Sequence, residues 1–495
     1  MRLRRLSTAV ATALLAAGCA VGPDYKAPAT PLPVSWKLEE PWRQGAPDDS
    51  ADKGPWWKRF GDAQLDALQD QALAGSPTLA VATARLAQAR ATLAASSASQ
   101  FPQLGLGTRA SRLKISANRP LTNYATANSS TVQNDFALSL NASYELDLAG
   151  RVQRSVEGAT ASAEQSAADL ENTRLVLTAD VANNYFNLRS TDIELDVLSR
   201  SIALQRRALE LVTARHDLGA VSGLDVAQQQ ALLDTTLTQV DVLKKQRAQY
   251  EHALATLTGT PAPSFALAAD LREIRPPAVP LGVPSEMLQR RPDVASAERA
   301  MAAANAQIGV ATAAFYPSFI ISPTVGVDSR MIETLFNGPS LLWSVGVSAT
   351  QVLFDGGRVR ANVDFAKAGY DATVGNYRRT VLTAMQEVED GITGLAALDR
   401  ATTQAQAAVA AARRVLDMAT SRYEGGASTY LDVITAQQSL LTVERQAAQL
   451  QGQRLLISVF LVKALGGDWC GAGTAAASDP RTGCPAPLRQ AAGTR

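Results

Sequence analysis

Two hydrophobic periods take turns along this chain. From Phe136 to Leu148 every second residue is apolar (Phe136, Leu138, Leu140, Ala142, Tyr144, Leu146, Leu148), with Ala137, Ser139, Asn141, Ser143, Glu145 and Asp147 between them. That period of two predicts a strand with one apolar face. Its 13 residues exceed the 5 or 6 typical of soluble strands and suit one tilted across a bilayer. Leu341, Trp343, Val345, Val347, Ala349 and Leu353 repeat the pattern against Ser344, Gly346, Ser348 and Thr350. Leu104 to Ala117 and Phe319 to Val327 are the expected partners, giving four strands. Four strands cannot close a barrel, and hydrocarbon does not tolerate open edges. The strands are therefore expected to be pooled between chains, three copies giving about 12, an even number within the known range.

Elsewhere the period is helical. Arg151 to His216 holds no Pro and only Gly158 across 66 residues, roughly 99 Å of unbroken helix at 1.5 Å per residue. Leu188, Leu195, Ile202 and Leu209 recur every seven residues, and so do Val197, Leu204, Leu211 and Leu218. The two series lie about 200° apart around the axis, so the helix has two seams, as a helix packed on both sides in a closed ring requires. Shorter helices are predicted for Pro77 to Ser99, with Ser76 as cap, and for Ala295 to Ala314.

An internal repeat organises these elements. Residue n matches n + 207 at Arg151 and Arg358, Val181 and Val388, Leu188 and Leu395, Arg215 and Arg422, Gly219 and Gly426, Asp225 and Asp432, and Gly259 and Gly466. The register runs 109 residues without a gap. Each copy reads helix, strand, strand, long helix, turn, helix. The expected divisions are a signal at 1–18 and an extension at 19–65, then short helices at 66–100 and 284–314 and strand pairs at 101–150 and 315–357. Long hairpins at 151–259 and 358–466, a linker at 260–283 and a tail at 467–495 complete them.

Composition narrows the function by exclusion. Of 495 residues, 47 are Lys or Arg and 46 Asp or Glu, so bulk charge gives no reason to expect a nucleic-acid partner. Two His and three Cys leave little for a zinc site or a Cys/His nucleophile, and no paired carboxylates stand out. Neither a catalytic residue nor a metal site is assigned, and an enzyme is not expected.

The amino terminus carries a more positive signal. Arg2, Arg4 and Arg5 precede an apolar run from Leu6 to Ala17, too short to span a membrane, that ends in Ala16-Ala17-Gly18-Cys19. This resembles a bacterial lipoprotein signal, in which the Cys is acylated and becomes residue one; it departs in placing Leu15 one position early. The resemblance implies a diacylglycerol and an acyl chain on Cys19, enough hydrophobic anchors for stable attachment, with no other cofactor. Ala20 after the Cys resembles signals sent on to the outer membrane. Ordinary cleavage near Ala17 is the alternative.

The chain then resembles the outer-membrane factors of tripartite export systems, the TolC and OprM group, in its NodT-like lipoprotein branch. Gly22-Pro23-Asp24-Tyr25, Trp56-Trp57 with Phe60, Asp62 and Leu65, and Arg290-Arg291-Pro292-Asp293-Val294 with Ala297-Glu298 carry the resemblance, together with Phe315-Tyr316-Pro317-Ser318 and Phe354-Asp355-Gly356-Gly357-Arg358. It implies a mixed α/β membrane protein, a homotrimer whose long antiparallel helical barrel is continuous with a 12-stranded outer-membrane β-barrel. It also implies an exit duct that receives small molecules or drugs from an inner-membrane RND-type transporter through a periplasmic adaptor. A duct for type I protein secretion, a structural envelope lipoprotein without a channel and an envelope-bound enzyme are the alternatives.

Two turns concentrate the expected function. Gly219 and Gly426 permit sharp reversals, Ser222 and Thr429 can cap, and Asp225 and Asp432 stand near the start of the return helices, where negative charge is favoured. By resemblance, Gly219, Ser222, Gly426 and Thr429 form the periplasmic tip that contacts the adaptor, and Asp225 and Asp432 border the aperture. Where that group tends to carry an Asp after the second Gly, this chain has Ala427-Ser428-Thr429. In the tail, Cys470 and Cys484 enclose a 15-residue loop and are candidates for a disulfide worth roughly 3 kcal/mol in an oxidising periplasm.

Overall fold

The computed structural model describes residues 20–26, 55–118, 131–277 and 290–467. The signal, Cys19, Cys470, Cys484 and the tail beyond Gly467 lie outside these residues, as do parts of the extension and linker. The chain divides into two compact units. The first takes Met1–Ala29, Arg85–Ser166 and Ala297–Tyr377, and the second Thr30–Ala84, Ala167–Ser296 and Arg378–Arg495. In chain order the helices are α1 (Ala63–Gly75), α2 (Pro77–Ala98), α3 (Arg151–Asp217), α4 (Gly223–Leu257), α5 (Pro292–Ala313), α6 (Arg358–Glu424) and α7 (Tyr430–Ala464). The strands are β1 (Gln103–Ile115), β2 (Thr131–Leu146), β3 (Ser318–Ser329) and β4 (Leu341–Thr350). Among the described residues no helix is long and apolar enough to cross a membrane.

The repeat is exact in the helices. α3 and α6 both have 67 residues and α4 and α7 both have 35, so all four boundaries recur 207 positions on. The hairpin ends repeat too: Ala220 N–H donates to Arg215 O and Gly219 N–H to His216 O, each at 2.8 Å, while Ala427 donates to Arg422 at 2.8 Å and Gly426 to Tyr423 at 3.0 Å. These paired bonds tie up the last helical carbonyls around a left-handed Gly, with φ of 75° at Gly219 and 73° at Gly426.

In the first unit the strands form one antiparallel sheet in the order β1-β2-β3-β4, with β1 and β4 as its edges. The register places Leu106 beside Leu140, Leu140 beside Val325, and Val325 beside Trp343. One face is thus a continuous apolar band that remains exposed, 71% at Leu106, 73% at Trp343 and 68% at Val345. The opposite face carries Ser139, Asn141, Thr324, Gly326, Ser344 and Gly346. The strand limits shift from those predicted: β1 stops at Ile115, β2 reaches back to Thr131, and β4 ends at Thr350. Pairing rather than periodicity sets the limits, since Thr131 to Asp135 bond opposite Ile115 to Ser111 although their own alternation is weak.

The same unit holds the segment after Cys19 in a tight clamp. Arg154, 5% exposed, reaches Asp24 at 2.8 Å, Glu157 at 2.7 Å and the Val21 carbonyl at 3.3 Å. Asn305 donates to the Pro23 carbonyl at 2.8 Å, and Tyr25 donates to Glu298 at 3.4 Å. Gly22 packs so closely on Gly309 that a Cβ on it would fall 2.6 Å from the Gly309 Cα. The Gly-Pro-Asp-Tyr motif therefore has a local physical meaning, a backbone threaded between α3 and α5.

The core of the second unit gathers Trp56, Trp57, Phe60, Leu65, Tyr185, Phe186 and Val459. Asp62 joins two of its layers: it accepts the Gln64 N–H at 2.9 Å to cap α1 and takes the Tyr185 hydroxyl proton donor at 2.5 Å. Helix α1 begins inside the stretch expected to be an extension, and Ser76 ends it, its N–H donating to Ala72 O at 2.9 Å. α5 starts at Pro292, ahead of the predicted Ala295. Arg291 of the Arg-Arg-Pro-Asp motif ties Asp293, Glu387 and the Ala464 carbonyl together at 2.7 to 2.8 Å. The linker is strapped down by Arg247 to Leu267 O at 2.6 Å and Arg189 to Ala268 O at 2.8 Å.

Of the two seams on α3, the one through Leu188 and Ile202 is buried in this unit, at 0% and 7% exposure. The other is buried only at Val197; Leu204, Leu211 and Leu218 are 41%, 46% and 84% exposed. A single chain covers one side of the helix.

Candidate functional site

The two hairpin ends lie in the second unit, where α3 turns into α4 and α6 into α7. At the first, Leu224 N–H donates to Ser222 Oγ at 2.9 Å and Ser222 N–H to Asp225 Oδ2 at 3.2 Å. Each side chain satisfies the other's backbone, a reciprocal capping box. Asp225 is thereby committed to the helix end. The second turn keeps the backbone but not the cap: the Thr429 side chain accepts no helix N–H, and its hydroxyl instead donates to Asp432 Oδ2 at 3.4 Å. The expectation that Thr429 caps α7 with its side chain is therefore corrected. Freed from the reciprocal bond, Asp432 is exposed.

The copies also differ in what packs behind the turn. Tyr423 and Tyr430 stand where the first copy has His216 and Gly223, with ring centroids 5.0 Å apart at 56°. The Arg215 guanidinium lies 5.0 Å from the Tyr423 centroid, a favourable placement over an aromatic face. Tyr430, 5% exposed, donates to Gln229 Oε1 at 2.9 Å, and Gln229 Nε2 donates to the Gln205 carbonyl at 3.0 Å. This chain of bonds locks the first hairpin to the second. Burial, then neighbouring Tyr423 and Asp225, pushes the Tyr430 hydroxyl up to about 12, so it remains a donor at every physiological pH. The partners Gln229 and Gln205 and the stacked Tyr423 escaped the sequence reading. The signal that could have found the tyrosines is the break in the n + 207 match at 423 and 430.

Against this aromatic pair the helices leave a groove of about 450 Å³, lined by Leu204, Leu211, Leu416, Val433, Arg207 and Glu424 among others. The Tyr423 hydroxyl is buried without a hydrogen-bond partner. Gly219 and Gly426 have no atom within 4 Å of an added Cβ, so their backbone angle, not crowding, demands glycine. The fold brings Gly219, Ser222 and Asp225 to one hairpin end and Gly426, Thr429 and Asp432 to the other.

Tyr430→Phe leaves the buried Gln229 oxygen without its donor, which costs about 1–3 kcal/mol. Hydrogen exchange should show faster opening of α4 and α7 near the turns while the α1 core is unchanged.

Comparisons with known proteins agree in scope with this architecture. The family model described as outer membrane efflux protein matches residues 68–260 and 283–467, the two copies of the repeat. The pyoverdine export outer membrane protein OpmQ of Pseudomonas aeruginosa is 33% identical over 445 residues, covering 89% of this chain and 94% of that protein. The toluene efflux pump outer membrane protein TtgF of Pseudomonas putida is 30% identical over 476 residues, covering 95% and 98%. The solved structure of the outer-membrane channel OprN matches with a TM-score of 0.83 and 30% identity, covering 91% of this chain and all of that one. Matched along both repeats and in fold, the chain belongs to the outer membrane efflux protein family, as an efflux channel of the bacterial outer membrane.

Proposed function

We propose that three copies of this chain assemble into the exit duct of a tripartite, proton-driven efflux pump that expels small molecules. The observation that carries the reading is the four-stranded sheet with an exposed apolar face on one side, polar residues on the other and two unpaired edges. In hydrocarbon the edges of β1 and β4 must be paired, and pairing β4 of one copy with β1 of the next closes a barrel of 12 strands. The uncovered seam Leu204, Leu211 and Leu218 supports the same assembly, because a neighbouring copy's helix buries it. The long helices then form the periplasmic tunnel. Acyl chains on Cys19 hold the chain in the membrane, and the Arg154 clamp on residues 21–25 fits an anchored segment. The paired turns receive a periplasmic adaptor that links the duct to an inner-membrane RND-type transporter. Asp225 and Asp432 border the aperture. Cys470 and Cys484 pair in the tail.

Native mass spectrometry of detergent-extracted protein should show three copies, each carrying lipid at Cys19. A bilayer-spanning monomer would overturn the assembly; trimers with an unmodified terminus near Ala17 would overturn the anchor alone.

A further inference from the structure

The polar face of the sheet is almost free of charge, with one exception near the middle of β1. Arg109 lies in register with Ala137 of β2, which in turn lies in register with Asp328 of β3, and Asp135 is two residues along β2 on the same face. The Arg109 Nε is 2.9 Å from Asp135 Oδ2, and a second guanidinium nitrogen is 3.8 Å from Asp328 Oδ2. The remaining charge on this face is Glu145, at the end joined to α3, where Arg151 neutralises it at 2.6 Å. β4 contributes none. The cluster spans three strands and holds two carboxylates against one guanidinium, a formal −1.

We propose that Arg109, Asp135 and Asp328 form a charged constriction in the strand-lined part of the duct that favours cations over anions in transit. The inference rests on the trimeric barrel of the previous section. Twelve strands about 4.8 Å apart and tilted by about 40° enclose a backbone radius of roughly 12 Å. Side chains pointing inward bring their charge nearer the axis than that, within the Debye length of about 10 Å at 0.1 M salt. Three copies place a formal −3 at one level of a low-dielectric wall, which raises the local cation concentration. Arg109 also staples β1 to β2 and β3. A staple alone predicts an effect on assembly and none on selectivity, and this separates the two roles.

The test is the reversal potential of the full-length protein in planar bilayers under a potassium chloride gradient, with the tip carboxylates left unchanged. Asp328→Asn removes the weaker of the two ion pairs and brings the level to zero charge; its reversal potential should move away from the cation side. Arg109→Gln doubles the negative charge and should move it the opposite way, while Arg109→Lys retains wild-type selectivity. The shifts should shrink in 1 M salt, where the Debye length falls to about 3 Å. If Arg109→Gln yields no trimer, Asp328→Asn decides alone. Normal trimer and normal unitary currents with an unmoved reversal potential for Asp328→Asn would overturn the proposal. Wild-type trimers that carry no unitary current would instead overturn the duct reading beneath it.

Discussion

Val345→Lys should abolish membrane-inserted trimer. Val345 sits within β4 on the exposed apolar face, opposite Pro323 of β3 and one residue from Ser344 and Gly346 of the polar face. A Lys at the lipid-facing midplane of a transmembrane barrel costs about 2–4 kcal/mol, and threefold symmetry repeats that cost in every copy. Ser344→Lys adds the same charge one residue away but on the polar face, where water solvates it, and is expected to insert normally. Heat-resistant trimer on gels of membrane fractions reads both. Equal yields from the two variants would show that the alternation of β4 does not face lipid, and the barrel would fall with it.

Export should be lost, with trimer intact, when a bulky or charged side chain is placed at the hairpin ends, for example Ser222→Arg or Thr429→Trp. Both positions are exposed at their turns, so the fold accommodates the new side chain but an incoming adaptor surface does not. Small replacements discriminate further. Ser222→Ala breaks the capping box and costs about 1 kcal/mol, whereas Thr429→Ala costs less because the Thr429 side chain accepts no helix N–H; neither should reduce export. Asp432 is the informative acid, since Asp225 is held by the Ser222 N–H and Asp432 is not so engaged. Like charges brought together by threefold symmetry repel, so Asp432→Ala should change single-channel conductance before it changes trimer yield. Unchanged conductance and voltage behaviour with normal trimer would remove Asp432 from the aperture, and normal export by Ser222→Arg would remove the first turn from the adaptor surface.

Periodicity is a local property of the chain, and what depends on it was legible without coordinates. The 207-residue repeat, the two long helices, the four strands and the apolar face of each strand follow from spacings of two and of three to four residues. The reversals at Gly219 and Gly426 were legible for the same reason, because a left-handed turn restricts residue type on its own. Contacts between distant residues were not. That Tyr430 finds Gln229 across 201 positions, that Asp62 both caps α1 and binds Tyr185, and that Arg154 clamps Asp24 depend on which side chains packing brings within 3 Å. Equivalent residues in the two copies diverged for the same reason: Ser222 caps and Thr429 does not, although both are followed three residues later by Asp. A hydroxyl and a carboxylate at the right spacing license a capping box, but spacing does not choose the rotamers that complete it. Likewise residue spacing alone gives α3 two apolar seams, while the fold of one chain buries just one of them, because burial is settled by the partner surface and not by the stripe itself.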